Sequence, residues 1–125
     1  MSMRTPLGLA RGLGSAKDGT HHWWMQRVTS VIMVPLMLWF VISLLTISRV
    51  DYPTFQYWMS RPWNAGLLLA LLSTMFYHAS LGMQVVYEDY VRPECRKVMA
   101  IIITNLLLLV LAAVAIVSVL KIALA

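Results

Sequence analysis

With 125 residues, 60% of them hydrophobic and only 12% charged, the chain has a mean hydropathy of +0.74, far from that of a soluble globular domain. Its formal charge of +5 is not carried by basic residues interleaved with aromatic ones, which argues against binding to nucleic acid. The single cysteine, Cys95, excludes an internal disulfide, and the chain has no cysteine framework for an iron–sulfur cluster.

Three long uncharged runs predict three transmembrane helices. The runs hold 21, 26 and 23 residues, and they lie between Arg27 and Arg49, between Arg61 and Glu88, and between Lys97 and Lys121. A helix needs about 20 apolar residues to cross the hydrocarbon core, and these runs lack the alternation of barrel strands. We therefore predict an all-α membrane protein with one domain, residues 1–125, and transmembrane helices at 28–48, 63–87 and 98–121.

The segment before the first helix has two parts. Residues 1–20 contain several Gly, Ser and Arg residues, and we expect little intrinsic order in them. The adjacent Trp23 and Trp24 are typical of anchors at a membrane interface. His21 and His22 are neighbours and would point to different faces of a helix, which argues against a shared metal site.

Aromatic and polar residues outside helix two predict two local features. The outer loop is rich in aromatic side chains, and Pro53 and Pro62 are placed to bracket a short interfacial helix within it. The third helix is nearly all Ile, Leu, Val and Ala, but it carries the pair Thr104 and Asn105. We interpret that pair as a source of hydrogen bonds between helices.

The distribution of Lys and Arg predicts the orientation in the membrane. Seven of these residues lie before helix one or between helices two and three, namely Arg4, Arg11, Lys17, Arg27, Arg92, Arg96 and Lys97. The remaining three, Arg49, Arg61 and Lys121, lie at the other ends of the helices. Because cytoplasmic loops carry the excess of positive charge, we predict that the N-terminal segment 1–27 is cytoplasmic.

Helix two contains an ionisable side chain in an apolar run. A titratable group in the hydrocarbon region is costly, so His78 is a candidate functional residue, either a metal ligand or a buried hydrogen-bonding group. At 100° per residue, one helical face carries Thr74, His78, Gly82, Val85 and Asp89. The glycine suits either close helix packing or a flat macrocycle lying against the helix.

The same helix ends in two acids and two phenols, Tyr87-Glu-Asp-Tyr90. A Tyr hydroxyl can donate a hydrogen bond to a carbonyl, and a neighbouring acid can pass a proton. These are the groups that a quinone head group requires, although a carboxylate and a phenol at a helix end are also common as interfacial residues without a ligand.

The run from His78 to Val91 resembles the second helix of the D-type membrane-anchor subunits of succinate dehydrogenase, respiratory complex II, in their proteobacterial form. The matching elements are a His, a Gly four residues later, and an Asp-Tyr pair that here is Asp89 and Tyr90. The start of helix one at Arg27-Val-Thr-Ser and the stretch from Gly12 to Trp24 resemble the same family.

The resemblance implies roles for individual residues. His78 would be an axial ligand of haem b and so bind the haem iron, Gly82 would give the haem room to pack, and Arg27 would bind a haem propionate. Tyr90 would hydrogen-bond the carbonyl of ubiquinone, with Asp89 beside it. No residue of this chain would be catalytic, because succinate is oxidised on another subunit.

The resemblance also implies partners and a location. The expected partners are a C-type cytochrome b anchor subunit, which supplies the second haem ligand, an iron–sulfur subunit facing the loop 88–97, a flavoprotein subunit, and membrane lipids. The expected location is the bacterial inner (cytoplasmic) membrane, with a role in the tricarboxylic acid cycle and electron transport. A quinol:fumarate reductase anchor and a redox-inactive three-helix scaffold remain alternatives. A transporter protomer is disfavoured, because helices one and three have almost no polar residues.

Overall fold

Most of the described residues are helical, and three of the helices are long and apolar enough to cross a membrane. The computed structural model describes residues 5–11 and 17–125. Its helices are α1 Pro6–Ala10, α2 Lys17–Ile47, α3 Tyr52–Ser60, α4 Pro62–Tyr90 and α5 Glu94–Leu124. No strand occurs within these described ranges. The predicted all-α architecture with three membrane-spanning helices is confirmed by α2, α4 and α5.

The three long helices exceed the thickness of the hydrocarbon core. They contain 31, 29 and 31 residues. At a rise of 1.5 Å per residue each is roughly 45 Å long, compared with about 30 Å of hydrocarbon. Their ends therefore reach into the head-group region, where charged and aromatic side chains are stable.

The expectation of little order before residue 21 is wrong for part of that segment. Residues 6–10 form α1, and α2 already begins at Lys17. Once the apolar part of α2 is helical, each further residue at its N-terminus adds a backbone hydrogen bond without a new nucleation cost. The Gly12–Ala16 part of the segment lies outside the described residues.

Prolines separate the second half of the chain into its helices. Pro53 lies in the first turn of α3, and Pro62 is the first residue of α4, so the predicted short helix is confirmed, while its interfacial location stays a prediction. Arg61 adopts an extended conformation (φ −69°, ψ 127°) between the two helices, as expected for a residue before proline. Pro93 in the same way precedes α5 (φ −74°, ψ 134°).

Helix α4 is the central element, packed against both α2 and α5. Helix α3 lies against α4 and α5 at the end where α4 begins. The indole rings of Trp39 and Trp58 stack with centroids 6.1 Å apart and so join α2 to α3. The Asn64 side chain donates to the Trp58 carbonyl at 2.8 Å, which fixes the turn from α3 into α4.

Two polar contacts join α4 to α5. Ser80 Oγ donates to Asn105 Oδ1 at 2.7 Å, and the hydroxyls of Tyr87 and Thr104 are 2.8 Å apart. The prediction that the Thr104-Asn105 pair hydrogen-bonds between helices is therefore confirmed.

The apolar core is thin. Among the described residues the buried apolar side chains are Met59, Leu71, Leu81 and Val119. Many large apolar side chains remain exposed, for example Leu45 at 75% and Leu109 at 65%. Exposed apolar surface on this scale is expected when lipid and neighbouring subunits cover the helices.

Candidate functional site

His78 lies on the face of α4 that packs against α2. Its Nδ1 atom is 2.8 Å from Thr29 Oγ1, and its Nε2 atom is 3.4 Å from Gln26 Nε2. Both partners lie near the cytoplasmic start of the first apolar run as we predict its orientation. Each ring nitrogen therefore has a polar neighbour, but the contact at Nδ1 is a short hydrogen bond and the contact at Nε2 is a long one.

Gly82 shares this face with His78. A Cβ atom added at Gly82 would lie 3.6 Å from Gln26 Nε2, so the glycine also faces the Gln26 side chain. This distance is an ordinary van der Waals contact. The prediction that His78 and Gly82 share a face is confirmed, while packing of a haem against Gly82 stays a prediction.

A cavity of about 660 Å³ opens between the start of α2 and the end of α4, and neither His78 nor Gly82 lines it. Its lining residues are Gly19, His21, His22, Trp23, Gln26, Leu81, Gln84, Val85 and Glu88. Val85, from the predicted face, is among them. Two atoms of lining residues, His22 Nε2 and Gln26 Oε1, are buried without a hydrogen-bond partner in the described structure. Buried polar atoms are normally satisfied, so these two are unusual.

Thr29 and Gln26 were missed as site residues in the sequence. Thr29 is 4% exposed, and its hydroxyl lies 2.7 Å from the Met25 carbonyl and 3.1 Å from the Gln26 carbonyl. Their spacing in the sequence could have identified them, because two polar residues three positions apart at the start of an otherwise apolar helix share one face.

The structure does not bring Arg27 to His78. The Arg27 guanidinium carbon lies 5.2 Å from the centroid of the Trp23 ring, and the side chain is exposed. At 100° per residue, Arg27 is about 160° around α2 from Thr29, on the side away from α4. This chain alone therefore does not place Arg27 where it could bind a propionate of a haem held by His78.

Asp89 and Tyr90 lie at the end of α4, apart from the His78 contacts. Tyr90 is 82% exposed and is the last residue of the helix. Asp89 is exposed too, and it makes no hydrogen bond or ion pair with another described residue. The two side chains point into space that this chain does not fill, so any site they belong to needs a second surface.

The surroundings of His78 fit one bond to a haem iron. Imidazole is a common haem ligand, and a ligating His normally gives its other nitrogen to a hydrogen bond. His78 meets both conditions, since it is an imidazole whose Nδ1 contacts the Thr29 hydroxyl at 2.8 Å, while its Nε2 has only a long contact with the Gln26 amide. The residues fit one axial ligand, and the described residues contain no group of three or more His, Cys, Asp and Glu side chains that could hold a metal ion by themselves.

Comparison with known proteins identifies the family of this chain. The family model described as succinate dehydrogenase/fumarate reductase transmembrane subunit matches residues 1–120. The chain belongs to this family. The chain is also similar to relatives named succinate dehydrogenase hydrophobic membrane anchor subunit.

The relative from Rickettsia bellii is 42% identical over 94 residues, covering 75% of this chain and 74% of that protein. The Rickettsia conorii relative is 38% identical over 102 residues and covers 81% of each chain. A relative from Paracoccus denitrificans is 28% identical over 93 residues, or 74% of this chain and 72% of that protein. The predicted family resemblance is confirmed, and the function of a multi-pass succinate dehydrogenase membrane anchor, which implies catalytic partner subunits, follows from it.

Proposed function

We propose that this anchor chain supplies one axial ligand of a haem b shared with a C-type cytochrome b anchor subunit, and one wall of a ubiquinone site. The ligand is His78 Nε2. The observation that carries the proposal is the pair of contacts on the His78 ring, a short hydrogen bond at Nδ1 and a long one at Nε2. The nitrogen with the weaker contact is the one available to iron.

The surroundings of His78 support this assignment. The ring is half-buried, so water competes poorly for the ligand position. Gln26, which contacts the His78 ring, and His22 both line the neighbouring cavity, and Gln26 Oε1 and His22 Nε2 are buried without hydrogen-bond partners. When bound, a haem b would supply a one-electron redox centre.

Only one histidine is placed for ligation in the described part of this chain. A haem with two axial ligands therefore takes its second ligand from the partner anchor. The role of Arg27 at a propionate rests on family likeness alone, because its side chain lies on the side of α2 away from His78.

The proposed quinone contacts are at the end of α4. The Tyr90 hydroxyl would donate a hydrogen bond to a quinone carbonyl, and the Asp89 carboxyl would hold a proton near it. The exposure of both side chains supports a site completed by other subunits. The loop 88–97 would face the iron–sulfur subunit, with the flavoprotein subunit beyond it and the whole complex in the bacterial inner membrane.

The proposal is tested by His78→Ala in the complex purified with its partner subunits. We expect loss or a large shift of the Soret band, because an alanine cannot bind iron. Succinate oxidation by a soluble dye should stay near the wild-type rate, since that reaction does not pass through this chain. Ser73→Ala, an exposed position on the same helix that faces α5, is the matched control and should keep the wild-type spectrum.

An unchanged haem spectrum in His78→Ala would refute His78 as a ligand. A wild-type complex that lacks haem but supports succinate-dependent quinone reduction would favour a three-helix scaffold without redox function. Faster fumarate reduction by quinol than succinate oxidation would favour the fumarate reductase alternative.

A further inference from the structure

Thr29 makes the closest contact with the His78 ring, although the two residues are 49 positions apart in the chain. It is 4% exposed, one of two buried polar side chains among the described residues. A hydroxyl so deeply placed in an apolar helix is costly unless its hydrogen bonds are made. The polar neighbours of the hydroxyl therefore indicate to which atom it donates and from which atom it accepts a hydrogen bond.

The Thr29 hydroxyl has one proton and three polar neighbours. They are the Met25 carbonyl at 2.7 Å, the Gln26 carbonyl at 3.1 Å and His78 Nδ1 at 2.8 Å. The carbonyl oxygens are acceptors only, so a contact of 2.7 Å between two oxygens requires the hydroxyl proton to lie between them. The hydroxyl oxygen is then left to accept, and the donor is the N–H at His78 Nδ1.

The other ring nitrogen agrees with this direction. Gln26 Nε2 is an amide donor 3.4 Å from His78 Nε2, which is compatible with a lone pair on that ring nitrogen. The short contact with Thr29 thus indicates the tautomer with the proton on Nδ1, and the long contact with Gln26 is compatible with it. The hydrogen bonds run from His78 through the Thr29 hydroxyl to the backbone of α2.

We propose that Thr29 is a positioning residue that fixes the tautomer and the ring orientation of His78, so that Nε2 is presented as the ligand nitrogen. This inference rests on the proposed haem function. The hydrogen bond from His78 Nδ1–H to the Thr29 hydroxyl also raises the electron density on the imidazole ring. Thr29 should therefore strengthen His78 as a ligand and favour the oxidised iron. Loss of an outer hydrogen bond of this kind typically weakens metal retention by about 10- to 100-fold.

The test compares four variants of the intact complex. Thr29→Val keeps the shape and removes the hydroxyl, Thr29→Ser keeps the hydroxyl, and Thr29→Ala removes both. Ser30→Ala is the matched control, because Ser30 Oγ donates to the same Gln26 carbonyl at 2.8 Å but does not touch His78. The readouts are haem content, the midpoint potential of the haem and its electron paramagnetic resonance spectrum.

We expect Thr29→Val and Thr29→Ala to raise the midpoint potential, alter the resonance spectrum and release haem about tenfold more readily in competition with apomyoglobin. Thr29→Ser and Ser30→Ala should match the wild type. Loss of haem from Thr29→Val and Thr29→Ala, but not from Thr29→Ser, with dye-linked succinate oxidation still present at the membrane, would also support the proposal.

Wild-type potential and spectrum in Thr29→Val would overturn the proposal. Equal defects in Thr29→Ser and Thr29→Val, or failure of both Thr29→Val and Thr29→Ala to assemble, would assign Thr29 to helix packing and overturn it as well. His78→Ala separates this outcome from failure of the haem function itself: if His78→Ala loses haem while Thr29→Val is normal, only the role of Thr29 is wrong.

Discussion

At the residue scale, the proposed site has two parts. One is the His78 ring, whose polar neighbours lie within this chain. The other, the open part, is the exposed pair Asp89 and Tyr90 at the end of α4. His78 is half-buried, and both of its ring nitrogens have polar partners on α2. Tyr90, in contrast, is 82% exposed, and Asp89 beside it is exposed. The orientation of the haem-ligand candidate is thus set within this chain, whereas the quinone contacts depend on surfaces from neighbouring subunits.

The open part gives a prediction for Tyr90→Phe. The variant loses one hydroxyl and keeps the ring, so succinate-dependent quinone reduction should fall by about tenfold, equivalent to one hydrogen bond of about 1.4 kcal/mol. Dye-linked succinate oxidation should be unchanged. Tyr52→Phe, which removes an exposed hydroxyl at the opposite end of the helices, is the control and should keep both activities. Equal loss of both activities in Tyr90→Phe would show that Tyr90 acts through assembly.

At the element scale, α4 lies between α2 and α5 and contacts each of them through different side chains. Against α2 it presents His78 and Gly82, and against α5 it makes the Ser80–Asn105 and Tyr87–Thr104 hydrogen bonds. In lipid there is little hydrophobic drive for helices to associate, so packing and hydrogen bonds decide which faces meet. The polar pairs therefore help to fix the register of α5 on α4.

A double-mutant cycle on Tyr87 and Thr104 tests this role. Tyr87→Phe and Thr104→Val should each lower the free energy of unfolding in mixed detergent micelles, with a coupling energy of about 1 kcal/mol between them. Ser118 provides the control, since its hydroxyl donates to the Val114 carbonyl of its own helix at 2.7 Å. Tyr87→Phe and Ser118→Ala should be additive. Additivity in the Tyr87 and Thr104 pair as well would mean that this contact does not hold the two helices together.

At the scale of the whole molecule, the chain is organised to be covered by its surroundings. Its buried apolar residues are few, and exposed Leu, Val and Ile side chains run along α2 and α5, whereas α4 exposes fewer of them. The loop between α4 and α5 and the start of α2 lie at the same end of the helices, because Gln26 and Thr29 of α2 contact the second half of α4. This end carries the larger share of Lys and Arg, in accordance with a cytoplasmic location.

Chemical labelling of Cys95, the only cysteine of the chain, tests this orientation. Cys95 is exposed near the start of α5. A membrane-impermeant maleimide should leave it unlabelled in cells with a permeabilised outer membrane, and should label it in inverted inner-membrane vesicles stripped of the catalytic subunits. Val50→Cys in a Cys95→Ser background, placed in the turn after α2 at the other end, should show the reverse pattern. Labelling of Cys95 from the outside would invert the predicted topology.

The amino-acid sequence by itself determined the three spans, the interfacial helix and the shared face of His78 and Gly82. Charges cannot lie in hydrocarbon without a large cost, prolines end helices, and the helical repeat places residues four apart on one side, so each of these features depends on local chemistry alone. The tertiary structure decided which groups meet that face. It brought Gln26 and Thr29 to the ring of His78 across 52 and 49 residues of chain, and turned Arg27 away from it. The rotation of one helix against another follows from packing along the whole interface, which no short motif encodes.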